Sequence, residues 1–184
     1  MLEHTGTMEI RTQRLLLRRF REGDEAQMYQ NYTSDPEVTK YLTWPPHKSQ
    51  NVTRNYLSVI LPEYESPDTY RWAIEYEGEV IGAIDAVDVD TQNENCEIGY
   101  CMGKAWWGMG IMTEALKAVL DFMFTQPVFY CVHARHDEMN TASGRVMAKA
   151  GMTYEGMLRA RRKKESGYFG LCHYSITRKE FLAK

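Results

Sequence analysis

Helical segments show first in the spacing of apolar residues along the chain. Between residues 110 and 124 the apolar side chains form one broad face, while Glu114 and Asp121 mark a polar face. After Ser49, apolar residues recur every three or four positions as far as Ile60. Both spacings match the 3.6-residue turn of an amphipathic α-helix. We therefore predict a helix at residues 110–124 and another that starts at Ser49 as its N-cap.

Three shorter helical segments are predicted from the residues at their ends. Asp24 is a good N-cap for a helix that runs to Ser34. Pro36, directly after Asp35, suits the first position of a further helical turn. The segment 140–150 begins with an Asn and is followed by Gly151, a residue type that commonly ends helices.

Strands are indicated where polar and apolar residues alternate. Residues 70–76 alternate, the Glu77-Gly78 pair predicts a tight turn, and residues 80–89 and 96–102 extend the pattern into a three-stranded meander. Further strands are predicted at residues 10–20, 128–134, 153–158 and 168–177. The order β-α-α-β-β-β-α-β-α-β-β predicts an α/β (α+β) fold with a mixed, mostly antiparallel central sheet and helices on both faces.

Composition places these elements in one globular unit. The chain has 184 residues, of which 43% are hydrophobic and 26% charged, and no repeat or linker interrupts it. We predict a single domain at residues 8–184. Residues 1–7 precede a second Met and are interpreted as a tail or a remnant of cloning. The net charge of −3 gives no general attraction to nucleic acid, so a nucleic-acid partner is not expected.

Cysteine usage and the absence of long apolar runs indicate the compartment. The four cysteines are widely spaced without a Cys-x-x-Cys pair, and they read as reduced thiols rather than disulfides or metal ligands: Cys96, Cys101, Cys131 and Cys172. No apolar run approaches the ~20 residues that span a bilayer, and no signal peptide is visible. We therefore predict a cytoplasmic protein with no membrane partner and no bound metal.

The segment most informative about chemistry is the turn that precedes the helix at 110–124. Gly108 and Gly110 allow the backbone to turn tightly and to approach a ligand closely. The helix that follows presents unpaired N–H groups and the positive end of its dipole, which suit a pyrophosphate. A tight strand-to-helix turn without any ligand is the alternative that this feature alone leaves open.

Two common phosphate-binding motifs do not fit this turn. Thr113 follows Met112 rather than the Lys of a P-loop. A dinucleotide fingerprint needs a third glycine and a strand that opens a βαβ unit, whereas this strand belongs to a meander. Coenzyme A is the remaining common ligand that carries a pyrophosphate.

The turn resembles the acyl-CoA-binding motif of the GNAT family of N-acetyltransferases, in the form typical of the branch that acetylates the N-termini of ribosomal proteins. Further segments fit that branch in the same order: residues 12–18 (TQRLLLR), 35–38 (DPEV), 97–100 (EIGY), 140–143 (NTAS), 151–152 (GM) and 174–181 (YSITRKEF). The similarity covers the chain from Met8 onward. It implies acetyl-CoA as co-substrate and direct attack of a primary amine on the thioester, without a covalent enzyme intermediate.

The resemblance also implies which residues bind the cofactor. The strand that ends at Met102 is expected to splay from its neighbour, so that pantetheine amides pair with its free main-chain groups much as an added strand would. The pyrophosphate is expected at the turn. The implied cofactor-binding residues are Tyr100, Met102, Trp107, Gly108, Met109, Gly110, Ile111, Met112, Thr113, Asn140 and Ser143. Asn140 is also a plain candidate N-cap, and both roles are compatible.

Two residues are the candidate catalytic groups. Ser143 lies one helical turn after Asn140, and similar enzymes use this serine as a hydrogen-bond donor to the CoA sulfur. Many other family members place a Tyr where this chain has Met147, so Ser143 is the candidate acid. Its alternative reading is a small serine that packs the helix. Glu97, in an apolar strand, is the candidate base because burial raises a carboxyl pKa. Its alternative reading is a carboxylate paired with an arginine.

The amine acceptor is left open between a protein N-terminus and a small molecule. The family branch implies a peptide α-amine, and a polyamine or antibiotic-like amine is the alternative. Arg162 and Gly170 stand where relatives carry a glutamate and an aspartate, which indicates a different acceptor pocket. A non-catalytic acyl-CoA or RNA-binding module, with the basic run at residues 159–164 as contact surface, is the rival from another class. Relatives are often homodimers, so a homodimer is expected as one oligomeric form.

Overall fold

The computed structural model describes residues 3–127, 129–164 and 167–183, and within them the strands form one eight-stranded sheet. The order across the sheet is β1-β2-β3-β4-β5-β6-β8-β7. All neighbours are antiparallel except β5 and β6, which are parallel. The strands are β1 Ile10–Arg11, β2 Leu15–Arg18, β3 Tyr70–Tyr76, β4 Glu79–Asp90, β5 Asn95–Met102, β6 Cys131–Asp137, β7 Thr153–Lys164 and β8 Gly167–Thr177.

Helices cover both faces of this sheet. They are α1 Asp24–Met28, α2 Pro36–Thr39, α3 Gln50–Ile60, α4 Ile111–Thr125, α5 Thr141–Lys149 and α6 Arg178–Leu182. A π-helical turn, Tyr29–Thr33, extends α1. Among the described helices, none is long and apolar enough to span a bilayer.

Two hydrophobic cores follow from the alternation of side chains along the strands. Trp72 and Ile84 point to one face, where they pack with Leu116 and its apolar neighbours on α4. Ala73, the next residue on β3, points to the other face and packs with Leu57 of α3 and its neighbours on α1 and α2. The predicted mixed, mostly antiparallel sheet with helices on both faces is confirmed.

The first predicted strand, at residues 10–20, is wrong as a single element. Thr12 interrupts it: its main-chain N–H donates to the Leu15 carbonyl at 3.0 Å, and its Oγ1 accepts from the Leu15 N–H at 2.9 Å. These bonds close a tight turn, so β1 folds back against β2 and the pair forms a hairpin.

Asp24 is also not an N-cap. Gly23, with φ 93°, occupies that position, and Asp24 lies in the first turn of α1. Its carboxylate instead accepts two hydrogen bonds from the Arg18 guanidinium, at 2.8 and 2.9 Å. Arg18 is almost fully buried. Leaving its charge unpaired would cost more free energy than leaving the helix without a side-chain cap, so Asp24 pairs with Arg18.

Several element ends differ from the sequence predictions. The strand predicted at 128–134 is observed as β6 three residues later, and Val128 lies outside the described residues. The α6 helix was not predicted, although Thr177 and Glu180 form a capping box at its start. Ser49 does occupy the N-cap position of α3, but its side chain makes no capping hydrogen bond. Gly151 was predicted to end α5; Ala150 is the C-cap, and Gly151, with φ 94°, follows it.

Packed structure begins before Met8. Thr7 is buried, and its hydroxyl donates to the Thr69 carbonyl at 2.8 Å. The same hydroxyl accepts from the Arg71 N–H at 2.9 Å. Residues just N-terminal to Met8 therefore pack against the start of β3, while the boundary at Met8 stays a prediction.

Candidate active site

The candidate site lies where β5 and β6 separate. Their parallel pairing ends at Glu97 and His133, although β5 continues to Met102. The Gly103 N–H donates to the Ile81 carbonyl on the β4 side. Because successive residues of a strand direct their main-chain groups to opposite sides, Tyr100 and Met102 direct theirs into the gap. The Met102 carbonyl accepts a hydrogen bond from Trp107 Nε1 at 2.8 Å.

A first cavity of about 570 Å³ opens beside this gap. It is bounded by the end of β5, the turn before α4 and the start of α5. Ten of the predicted cofactor-binding residues line it: Tyr100, Met102, Trp107, Gly108, Gly110, Ile111, Met112, Thr113, Asn140 and Ser143. Met109 does not line it; its side chain is exposed, and its carbonyl accepts from Arg14 Nη1 at 3.0 Å. The role implied for Met109 rests on its main-chain N–H group, and it stays a prediction.

The turn before α4 has the geometry that its glycines predict. Gly108 and Gly110 have φ values of 78° and 77°, in the left-handed region that costs other residues about 1–2 kcal/mol. Gly110 is the N-cap of α4 and makes no side-chain cap. The N–H groups of the first turn of α4 are thus the donors available to an anion in the cavity.

A polar brace from the β1–β2 turn holds this segment. Arg14 Nε donates to Glu114 Oε2 at 2.7 Å, and Thr12 Oγ1 donates to Glu114 Oε1 at 2.6 Å. Burial raises the pKa of Glu114, but the bonds from Thr12 and Arg14 outweigh it and leave the pKa lowered. Glu114 is therefore an ionised carboxylate whose charge is compensated by Arg14.

The start of α5 brings Ser143 to the gap. Asn140 is the N-cap, and its Oδ1 accepts from the Ser143 N–H at 3.3 Å, so the capping interpretation holds. Ser143 Oγ lies 2.8 Å from the Tyr100 hydroxyl. Burial raises the pKa of Tyr100 well above its ordinary value, against the opposing hydrogen bond from Ser143. The Tyr100 phenol therefore stays protonated across the neutral range.

A second cavity, of about 640 Å³, lies on the other side of the gap, under the first helices and residues 41–47. It is continuous in its lining with the first cavity, because Tyr100, Cys101, Asn140 and Ser143 line both. Ser143 thus lies between two cavities, of which the first is bounded by the glycine turn before α4.

Glu97 lines the second cavity, and both readings of this carboxylate find support. Its Oε1 lies 3.0 Å from Arg135 Nε, and its Oε2 lies 3.7 Å from His133 Nε2. Burial raises the pKa of Glu97; Arg135 opposes this effect and the Asp88 charge adds to it. Glu97 is therefore a buried, arginine-paired carboxylate that still holds protons more readily than an ordinary glutamate.

Sequence reasoning missed charged residues in both cavities. Arg145 and Lys149 line the first cavity and add positive charge. Thr141, Arg145 and Lys149 follow one another at intervals of four residues along α5, and this spacing, which places them on one face of the helix, is visible in the sequence. Asp85 lines the second cavity. No local signal identifies Asp85, because its place depends on the register between β4 and β5. Among the described residues, no group of three or more His, Cys, Asp or Glu is arranged to hold a metal.

Of the two positions at which the resemblance implies a different residue, Arg162 lines the second cavity and Gly170 does not. The Arg162 guanidinium donates to the carbonyls of Tyr41, at 2.6 Å, and Leu42. It thus fixes the loop that lies between the two cavities. The Gly170 N–H donates to Glu138 Oε1 at 2.7 Å, which ties β8 to the segment before α5.

Comparison with known families identifies this arrangement. The family model described as an acetyltransferase (GNAT) domain matches residues 14–153. The chain therefore belongs to the GNAT family of acetyltransferases. It is an acetyl-CoA-dependent N-acetyltransferase, and acetyl-CoA is its co-substrate. Membership in this family favours an enzyme over the non-catalytic binding module.

Individual relatives agree with this assignment. The N-acetyltransferase p20 of Bacillus licheniformis is 29% identical over 172 residues, which cover 92% of this chain and 96% of the relative. The [ribosomal protein uS5]-alanine N-acetyltransferase of Escherichia coli is 34% identical over 61 residues, 33% of this chain and 31% of that enzyme. A crystal structure of a GNAT-family acetyltransferase from Bacillus anthracis matches with a TM-score of 0.83 and 25% identity, covering 94% of this chain and 99% of that one.

Proposed function

We propose that this enzyme acetylates the α-amine at the N-terminus of a peptide or protein, of the kind that ribosomal proteins present. The observation that carries the proposal is the position of Ser143 between two cavities. The first cavity suits the CoA thioester, and the second is large enough for the first residues of a chain. The partial similarity to a ribosomal protein uS5-alanine N-acetyltransferase supports the same acceptor class.

In this scheme acetyl-CoA binds the first cavity, with its pyrophosphate at the N-terminus of α4 and its pantetheine arm along Tyr100 and Met102. The acceptor amine enters through the second cavity. Its nitrogen lone pair attacks the thioester carbonyl carbon, and the carbon–sulfur bond breaks as the tetrahedral intermediate collapses. The products are an amide and CoA. Substrates held on opposite sides of one gap need no covalent enzyme intermediate.

The second cavity favours the neutral form of an amine near Glu97. The positive charges of Arg135 and Arg161, which also line the cavity, disfavour an additional ammonium there. An α-amine has a pKa of about 7.7–8.0, against about 10.4 for a lysine side chain. Modest assistance is therefore enough for an α-amine, and Glu97 accepts the proton that the nitrogen loses on attack.

Ser143 supplies the proton that the departing sulfur requires, and the proton that Glu97 takes from the amine returns through solvent to restore the serine hydroxyl. Its hydroxyl is held by the Tyr100 phenol, which stays protonated at neutral pH. Donation from Ser143 to sulfur, backed by Tyr100, stabilises the developing thiolate in the transition state.

A competition experiment tests the acceptor class. The enzyme is given acetyl-CoA with three acceptors at equal concentration: a Ser-initiated peptide, an N-terminally blocked peptide that contains lysine, and spermidine. Mass spectrometry of the products should show acetylation mainly on the α-amine. Exclusive acetylation of spermidine or of the lysine side chain would contradict the proposal and favour a small-molecule or side-chain acceptor, while acetyl transfer itself would stand.

A further inference from the structure

Asp85 is a cavity carboxylate with too few partners. It lies on β4, opposite Gly99 of β5, and a side chain at Gly99 would come within 3.7 Å of Asp85 Oδ1. Because Gly99 has none, the carboxylate faces the second cavity uncovered. Its nearest cation is Arg71, whose Nε lies 3.6 Å from Oδ2, longer than a normal hydrogen bond.

The positive charge of Arg71 does not neutralise Asp85 completely. Its guanidinium also pairs with Glu63, so one positive charge is shared by two carboxylates. Arg71 Nε is buried without a hydrogen-bond partner. The part of the second cavity at Asp85 therefore keeps a net negative charge, whereas Arg135, paired with Glu97, and Arg161 add positive charge elsewhere in its lining.

Tyr32 lies close enough to Asp85 for the carboxylate charge to act on it, and it provides an independent observation that points to a missing ligand. Tyr32 is 2% exposed and lines the second cavity, yet its hydroxyl has no hydrogen-bond partner among the described residues. A buried hydroxyl without a partner is costly, by about 1–3 kcal/mol. A ligand group with several N–H donors would satisfy Tyr32 and Asp85 together.

We propose that Asp85 and Tyr32 bind a second cationic group of the acceptor, an ammonium or guanidinium, while the reacting amine lies near Glu97. The inference rests on the proposed function and narrows its substrate class to acceptors with two basic nitrogens. Asp85 pairs with Gly99, and Glu97 pairs with Val87. The two carboxylates are thus diagonal neighbours with a separation of about 7–8 Å between their backbones, a span that a short diamine or a basic side chain near a peptide N-terminus can bridge.

The test compares acceptors that differ only in the second charge. One pair is putrescine and butylamine; the other is a Ser-Lys peptide and the same peptide with norleucine in place of lysine. The two pairs distinguish a small diamine from a basic N-terminal sequence as the source of the second cation. The wild-type enzyme should show a higher kcat/KM for the dicationic member of at least one pair.

The Asp85→Asn variant should lower this ratio of kcat/KM values by about 10- to 100-fold, the range expected for a hydrogen bond to a charged group. Asp121→Asn, on the exposed face of α4, is the matched control and should keep the ratio. Glu63→Gln, outside the cavity lining, should lower the ratio less, because it leaves Arg71 free to pair with Asp85 alone. This variant keeps the test informative if Asp85→Asn does not fold.

Each failure has a distinct meaning. The role of Asp85 would be overturned if the wild-type enzyme released CoA equally fast with the dicationic and monocationic acceptors. It would also be overturned if the ratio of their kcat/KM values were unchanged in both Asp85→Asn and Glu63→Gln. Acetyl transfer itself would stand in either case. CoA release with neither peptide would contradict the proposed acceptor; a preference for putrescine over butylamine would then support the cation site with a diamine as its ligand, and CoA release with none of the four acceptors would contradict this inference as well.

Discussion

The Tyr100 hydroxyl lies 2.8 Å from Ser143 Oγ and 3.1 Å from the Ser143 carbonyl oxygen. This contact joins the end of β5 to the start of α5 across the gap that separates the two cavities. The Ser143 side chain is thus held in place by Tyr100, a residue of the central sheet. A donor held in this way needs little reorganisation when charge develops on the sulfur.

Replacement of Ser143 by alanine should lower kcat by about 10- to 1,000-fold, because a proton donor to the leaving sulfur matters most in the transition state. The dissociation constant of CoA should change little. Steady-state kinetics with calorimetric CoA binding measure the two effects separately. Ser58→Ala, at an exposed position of α3, is the control and should retain full activity.

The Tyr100→Phe variant completes this prediction. If Tyr100 acts through Ser143, the single variants and the double variant should show strongly non-additive losses in kcat. Additive losses would separate the two residues, and full activity in Ser143→Ala would end the case for a serine donor.

For Glu97→Gln we expect a rate loss that depends on pH. A base must be ionised, and burial raises the pKa of Glu97, so the wild-type rate should rise as pH rises through that pKa. The variant lacks this base and depends on the amine's own deprotonation. Its loss in kcat/KM should therefore shrink as pH rises from 6.5 toward 9. A loss of the same size at every pH would mark Glu97 as a carboxylate that only positions Arg135.

The parts of this site that are local in sequence could be predicted, and the parts that depend on pairing could not. The turn at Gly108 and Gly110 and the N-cap at Asn140 are written in a few adjacent residues. Their chemistry, a helix N-terminus and a capped helix, needs no knowledge of the rest of the chain.

Contacts between distant segments left no such signal. Tyr100 and Ser143 are 43 residues apart, and Arg14 and Glu114 are 100 residues apart. The hairpin at Thr12 was missed for the same reason, because Glu114 helps to hold that turn. In the sequence, Asp85 is one polar residue of an alternating strand. Its place in the cavity follows only from its pairing with Gly99.

The ionised carboxylate of Asp85 is also predicted to lower the free energy of unfolding. Burial raises its pKa from 3.8 to about 6, against the opposing effect of Arg71. A carboxyl with a raised pKa binds protons more tightly in the folded state, so stability falls as pH rises from about 4 through about 6. At pH 7.5, the free energy of unfolding of Asp85→Asn, measured by urea denaturation, should therefore exceed that of the wild type by about 1–3 kcal/mol. The difference should shrink toward pH 4.5, and a variant less stable at pH 7.5 would contradict this account.

Arg14 is predicted to support cofactor binding without touching the cofactor. Its guanidinium holds the Met109 carbonyl in the turn and compensates Glu114 at the start of α4. Arg14→Ala should raise the dissociation constant of CoA by about 3- to 10-fold, since an uncompensated carboxylate at that helix end repels phosphate. Arg11→Ala removes the same charge from an exposed pair with Glu9 and is the control. Equal effects of the two variants would show a general charge effect only.

The central claim is that CoA and a peptide α-amine meet across the gap between β5 and β6. Binding of a bisubstrate conjugate tests it directly: CoA joined through an acetyl bridge to the α-nitrogen of a Ser-initiated peptide, with the same peptide joined through a lysine side chain as comparison. Calorimetry should show that the α-linked conjugate binds at least about 100-fold more tightly than CoA, because it occupies both cavities at once. The side-chain-linked conjugate should gain much less. An α-linked conjugate that binds no more tightly than CoA alone would contradict the account.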